Sequence, residues 1–377
     1  MRSSLVRMPA LDDEIDSILK HSDLEFGAGF HRTPSLGDTE FTWDYERSRD
    51  GLSRLYEKAK RSQWNANDLD WSIQVDAEKM ATQMAELAAG PGAGKSIMAS
   101  IDGSPVAKWS DKEWTQFRIE TLNWRLSQFL HGEQGALVCS AKIVETVPWI
   151  DAKYYASTQV YDEARHVEVF ARYLDEKLDG HFPVNPELQL LIDDVLGDSR
   201  WDITYMGMQI MIEGLALAAF GFMHMFTEEP LLKQLLRYVM ADEARHVAFG
   251  TLTLAEFYNE LSGSEIRERQ EFAFEAALRM RDRLLMVQVW EKVGVPKPII
   301  REFLIRLRQG EAWFQAPLFS KIVPNCKKLG LLDAGDGWLR EKFTEIGVIQ
   351  FEDAADARLD VELLDAVAAD RLAAESA

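Results

Sequence analysis

Apolar and polar positions along the chain follow the spacing of long helices, and strand-like alternation is scarce throughout. Residues 1–75 read as largely irregular, with Pro9, Pro34, several glycines and tryptophans at Trp43, Trp64 and Trp71. A helix is predicted from Val75 to Ala89, ended by the breaker GPGAGK (Gly90 to Lys95), with loop from there to Ser110. Ser110, with Glu113 three residues on, forms a capping box and opens a long helix that Pro148 stops after Val147. A second runs from Pro148 to Leu178, closed by Gly180 and Pro183. After a short helix at Glu187 to Leu196, a third covers Asp198 to Thr227. The fourth starts at Pro230, well placed in a first turn, and reaches Leu261. Further helices are predicted for Ser264 to Val293, Pro296 to Gly310 and Ala316 to Leu332. The class is therefore all-α: a four-helix bundle over 110–262, an N-terminal extension (1–109), additional helices packed on the bundle (263–352) and a tail (353–377).

One helix is apolar on nearly every side, Met206 to Phe226 (MGMQIMIEGLALAAFGFMHMF). It is long enough to cross a bilayer, but Gln209, Glu213 and His224 would be costly in lipid. The expectation is a buried bundle helix and no membrane span, which leaves Glu213 in its middle to be explained. Hydrophobic residues make up 47% of the chain, ample for a core, and the net charge of −20 excludes a nucleic-acid backbone as partner. Cys139 and Cys326 are the only cysteines, so no disulfide framework or thiolate metal cage is available. This fits a reducing cytoplasm, as does an N-terminal stretch (MRSSLVRMPALDDEID) whose acidic residues interrupt any signal-like run.

An internal repeat then carries the chemistry. VYDEARHVEVF at 160–170 and MADEARHVAFG at 240–250 share the six residues DEARHV at an offset of 80. Within each copy the glutamate and histidine lie three apart, so Glu163/His166 and Glu243/His246 each project a carboxylate and an imidazole from one helix face. Glu133 precedes Glu163 by 30 positions, and Glu213 precedes Glu243 by 30 as well. That interval allows one helix to be climbed, a turn made, and the same height regained on the next. Four carboxylates and two imidazoles at one level suit two ions of iron or manganese better than zinc. Asp162 and Asp242 are placed to accept the second ring N–H of a histidine, and Arg165 and Arg245 to balance their charge. Gly135 and Gly214 beside two of the glutamates would give a metal or a neighbouring backbone room to approach. His131 and His224 read as structural. Gln209, one turn before Glu213, is a candidate for the substrate side or for a helix–helix hydrogen bond.

The order E, E-x-x-H, E, E-x-x-H over 110–261 resembles the ferritin-like dinuclear iron carboxylate proteins. D-E-x-R-H recurs in the bacterial multicomponent monooxygenase hydroxylases and the acyl-carrier-protein desaturases. The resemblance implies Glu133, Glu163, His166, Glu213, Glu243 and His246 as ligands of two Fe ions (with Mn/Fe or Mn also compatible), Glu163 and Glu243, or Glu213, bridging. It further implies dioxygen as co-substrate; Glu133 and Glu213 are the catalytic candidates among the ligands, joined on spacing alone by Gln209. Phe170 stands where the ribonucleotide reductase small subunit has its radical tyrosine, which disfavours a tyrosyl radical there. Ala216 and Leu217 occupy the turn where the hydroxylases have a threonine, and Val239 the place of an extra histidine in the arylamine N-oxygenases. The implied activity is a monooxygenase-type oxidation of a small organic substrate, with Phe170, Leu137, Leu217 and Phe220 as lining. Alternatives are a ferroxidase and a ribonucleotide reductase-type radical subunit. Because no G-x-G-x-x-G occurs, electrons are expected from a separate reductase or ferredoxin. A homodimer stays open.

Overall fold

The computed structural model describes residues 10–24, 30–89, 97–178, 180–309 and 316–354, and among these every regular element is helical. The predicted breaker Gly90 to Lys95 and the tail from 355 lie outside the described residues. Helices α1 (Leu11–Ser22), α2 (Asp50–Arg61) and α3 (Ala77–Ala89) precede four long ones: α4 (Asp111–Thr146), α5 (Ile150–Lys177), α7 (Trp201–Phe226) and α8 (Pro230–Tyr258). The short α6 (Pro186–Gly197) joins the two pairs. Helices α9 (Gly263–Asp282), α10 (Val287–Lys292), α11 (Lys297–Gln309), α12 (Ile322–Lys328) and α13 (Trp338–Glu345) follow.

The long helices begin where their side chains satisfy free N–H groups. Glu113 accepts from the Ser110 N–H at 2.6 Å, which fixes the start of α4. At α8, Glu229 accepts from the Leu231 and Leu232 N–H groups at 2.9 and 2.7 Å, with Pro230 in the first turn. Only residues 147–149 separate α4 from α5, and only 227–229 separate α7 from α8, so each pair is a tight antiparallel hairpin. The four helices enclose two apolar clusters. One holds Ala136, Tyr155, Met211 and Phe249, the other Leu126, Phe170, Phe220 and Leu235. Along each long helix the chain passes from one cluster to the other, and the motif carboxylates lie at the crossing. The polar level of the bundle is sandwiched between two cores.

Four expectations need correction. Among the described residues of 1–75 the chain is irregular over 30–49 and most of 62–75, but two helices were not expected: α1 buries Ile15 and Ile18 against α11, and α2 buries Leu52 and Ala59 against α5 and α8. Helices this short have little stability alone, so tertiary packing decides them. The predicted helix Ser264–Val293 breaks at Met286, whose φ of 53° and ψ of 36° are left-handed. That conformation costs on the order of 1–2 kcal/mol, and burial of Leu285, Val287 and Trp290 around the break offsets it. Residues 316–332 hold a 3₁₀ turn (Ala316–Ser320) and α12 in place of one helix, and α13 was not expected.

The last correction concerns α7. It is not a plain α-helix, because Met206–Ile212 form a π-helical stretch that delivers the chain to Glu213. Two glycines let neighbours close on this wider segment. A Cβ at Gly250 in α8 would lie 2.5 Å from the Gln209 Cβ, and one at Gly207 would lie 2.3 Å from Val195. α7 is long and apolar enough to cross a membrane by length and composition, and 78% of its apolar window is buried inside the protein.

Candidate metal centre

Each ligand candidate reaches the polar level from a different place on the two hairpins. Glu133 comes from α4, Glu163 and His166 from α5, Glu213 from the end of the π stretch, and Glu243 and His246 from α8. All six are at least nine-tenths buried. They form two overlapping sets, Glu133–Glu163–His166–Glu243 and Glu163–Glu213–Glu243–His246, with the donor atoms of each set within 4.8 Å of one another. Glu163 and Glu243 belong to both. Such a pair of sets can hold two cations side by side with two carboxylates between them.

The imidazoles point the same way. His166 Nδ1 lies 3.2 Å from Glu133, 3.2 Å from Glu163 and 3.1 Å from Glu243. His246 Nδ1 lies 3.0 Å from Glu163 and 3.6 Å from Glu243. Their other nitrogens are held across the bundle. His166 Nε2 meets Asp242 at 3.1 Å and His246 Nε2 meets Asp162 at 3.3 Å, so each histidine leans on the aspartate of the other repeat. Arg165 joins both aspartates at 2.7 Å, and Arg245 pairs with Asp242 and sits 3.8 Å from Asp162. The DEARH repeat thus builds a crossed brace, in which neither copy is complete alone.

Charge and hydrogen bonding test whether cations fit here. Setting the two aspartates against the two arginines leaves four buried carboxylates, which two divalent ions would neutralise. Within the protein itself Glu213 Oε2 is buried without a hydrogen-bond partner, and both Glu243 oxygens and His246 Nδ1 have only the other ligand candidates as close neighbours, with no aligned hydrogen bond. Leaving such groups bare is costly unless something else binds them. Burial, followed by repulsion from Glu243, pushes the carboxyls of Glu133 and Glu213 well above the usual range. Burial would raise Glu163 too, but His246 and His166 beside it hold it low. For the histidines burial works downward, and the facing carboxylates outweigh it, so both are raised. This is the signature of an anionic cavity seeking positive charge.

Three side chains at this level escaped the sequence reading. Gln159, one turn before Glu163, donates to Glu163 at 3.1 Å and to Glu213 at 2.7 Å. Its spacing of four from a ligand glutamate was a usable signal, the same one that singled out Gln209. Gln63 donates to Asp162 at 3.1 Å and accepts from Arg165 at 2.8 Å. Trp64 donates its indole N–H to Asp242 at 2.8 Å, and its ring lies under the Arg165 guanidinium. Neither carries a local sequence mark, because both arrive from the far end of α2.

Other candidates fall into place. Gln209 is fully buried and donates to Gln159 at 3.3 Å, the helix–helix alternative. His131 bonds the Phe182 carbonyl at 2.8 Å, while His224 is half-buried and belongs to neither ligand set. Phe170 and Phe220 stack together 5.7 Å apart, and Phe129 joins them at 4.6 Å from Phe220. Leu217 lies in the same apolar cluster, while Leu137 is only partly buried and outside it. The glycines serve packing and do not admit a metal: a Cβ at Gly135 would strike Ile192 of α6 at 2.5 Å, and Gly214 faces Ile322 at an ordinary 3.5 Å.

No family model matches the chain, and no curated protein matches it. Among solved structures it is similar to the R2-like ligand-binding oxidase with an aerobically reconstituted metal cofactor after photoconversion. That match has 16% identity and a TM-score of 0.48, over 76% of this chain and 94% of the other. A second similar structure is the R2-like ligand-binding oxidase with aerobically reconstituted Mn/Fe cofactor (long soak), at 18% identity and a TM-score of 0.44. It covers 70% of this chain and 91% of that one.

Proposed function

We propose that the chain holds two redox-active divalent ions, iron or an iron–manganese pair, and oxidises a small organic substrate with dioxygen. The observation that carries this reading is the pair of buried ligand sets sharing Glu163 and Glu243. Oxygen-rich donors with one imidazole per ion suit iron and manganese. Two such ions, when bound and reduced, supply the electrons that dioxygen needs.

The chain's own residues do the rest. Glu163 and Glu243, common to both ligand sets, would be shared by the two ions, and Glu133 and Glu213 would each serve one of them. Asp242 and Asp162 hold Nε2 of His166 and His246, which leaves Nδ1 facing the glutamates, where it would be available to an ion. Gln159, itself held by Gln209, steadies one oxygen of Glu213 and leaves the other, Oε2, without a partner in the protein. Phe129, Phe170 and Phe220 keep one flank apolar, which excludes water and favours an organic substrate.

Metal analysis together with oxygen uptake by the reduced protein tests the reading. About two metals per chain are expected, with oxygen consumed on mixing. In Glu163→Ala/Glu243→Ala both should be lost, and retention of two metals by that variant would overturn the assignment.

A further inference from the structure

The chain has a net charge of −20, yet residues 47–61 run strongly the other way. Six cations (Arg47, Arg49, Arg54, Lys58, Lys60, Arg61) face only Asp50 and Glu57 there, a local balance of +4 against −24 for the remainder. Arg54, Lys58 and Arg61 follow one another at four and three residues, so they share one face of α2. That face borders an open cleft of about 870 Å³, lined also by Arg47, Ser53 and Ser62 and by the two carboxylates Asp50 and Glu57, so cations outnumber anions in its wall by four to two. Arg47 is engaged by Asp151 at 3.3 Å and by Glu57 at 3.5 Å. Arg54 and Arg61 are exposed and make no ion pair or hydrogen bond among the described residues.

The position of the cleft gives these charges a use. Ser62 forms part of its wall and is itself buried; the next two residues, Gln63 and Trp64, are those bonded to Asp162 and Asp242. A partner seated on α2 therefore meets the segment whose next two residues bond the histidine-bracing aspartates. Unpaired guanidiniums on an acidic protein select an anionic partner by field and disfavour a basic one.

We propose that this face of α2 is the docking site of an acidic one-electron carrier protein that reduces the metal centre. The proposal rests on the reading of the centre as redox-active. Each docking moves one electron: the carrier is oxidised by one, one metal ion is reduced by one, and no bond is made or broken. Two dockings reduce the pair.

The test uses the metal-loaded full chain and two small reductants of opposite charge, dithionite (through its sulfur dioxide radical anion) and the methyl viologen radical cation. Reduction is followed by loss of the oxidised centre's absorbance. If electrons enter at α2, the dithionite rate falls as salt rises, despite the chain's overall negative charge, and the viologen rate climbs. Arg54→Glu/Arg61→Glu should slow dithionite about tenfold at low salt and reverse both salt trends, while Arg54→Lys/Arg61→Lys keeps the original behaviour. Poly-L-glutamate, standing in for an acidic protein, should compete with dithionite in the original chain and not in the double glutamate variant. A dithionite rate that rises with salt, or a double variant that matches the original, overturns the proposal. Loss of competition by poly-L-glutamate alone would mean that the cleft takes small anions and would overturn the protein partner. Failure of both reagents to reduce the loaded protein is a different result, which overturns the redox reading itself and this proposal with it.

Discussion

The two hairpins carry the same DEARH motif, but they surround their halves of the ligand set differently. On α4 and α5 the helices are regular, and the turn before Glu133 presents Phe129, which packs with Phe170 and Phe220. On α7 and α8 the equivalent turn presents Gln209, set in a π stretch and bonded to Gln159. One end of the centre is flanked by aromatic rings and the other by a pair of amides. A near-symmetric set of ligands therefore sits in an asymmetric cavity. The lesson is that a duplicated motif fixes donors, while the turns beside it set what approaches each ion.

The outer and shared carboxylates offer the sharpest break of this comparison. Burial and the facing Glu243 raise the carboxyls of Glu133 and Glu213 when no ion is bound, so protons and an entering cation compete for them. Metal loading should release protons, and affinity should drop with falling pH by up to about tenfold per unit for each proton displaced. Calorimetry in buffers of different ionisation enthalpy measures the release. Glu213→Gln should remove one proton from the count, and an unchanged count would show that Glu213 is not displaced at all.

The crossed brace comes next in size. Asp242 belongs to the second repeat but holds His166 of the first. Asp242→Ala is therefore expected to weaken the ion at the Glu133 end by about 10- to 100-fold, and Asp162→Ala the ion at the Glu213 end. Site-resolved metal titration decides it; equal weakening of both ions by both variants would dissolve the distinction between the ends.

The smallest effect concerns the packing of the π stretch. Gly250→Ala drives a Cβ to 2.5 Å from Gln209 and should cost roughly 1–3 kcal/mol of stability. Gly214→Ala meets Ile322 at 3.5 Å, and better helix propensity should leave stability unchanged or raised by at most about 1 kcal/mol. Denaturant midpoints compare the two. Should Gly214→Ala prove the more damaging, the view that α7 depends on its approach to α8 at Gly250 would be wrong.

Much of this was legible in the chain. The four long helices announce themselves by periodicity, by the stop at Pro148 and by the start at Pro230. The placement of Glu133 and Glu213 among apolar residues at equal distances from the repeats marked them as ligand candidates before any contact was known. Short helices were harder: α1 and α2 exist because the bundle covers their few apolar residues, and Met286 bends because its neighbours are buried.

What the sequence by itself determined is the set of donor residues and their spacing along helices, because helical geometry is local and repeats every few residues. Which aspartate braces which histidine was decided only by the tertiary structure, as were the pairing of Gln159 with Gln209, the π turn into Glu213, and the arrival of Gln63 and Trp64 from α2. Those contacts join residues 50 to 178 positions apart. Nothing in a local pattern encodes them; they arise when two hairpins close on one another and bring buried polar groups that must find partners into reach.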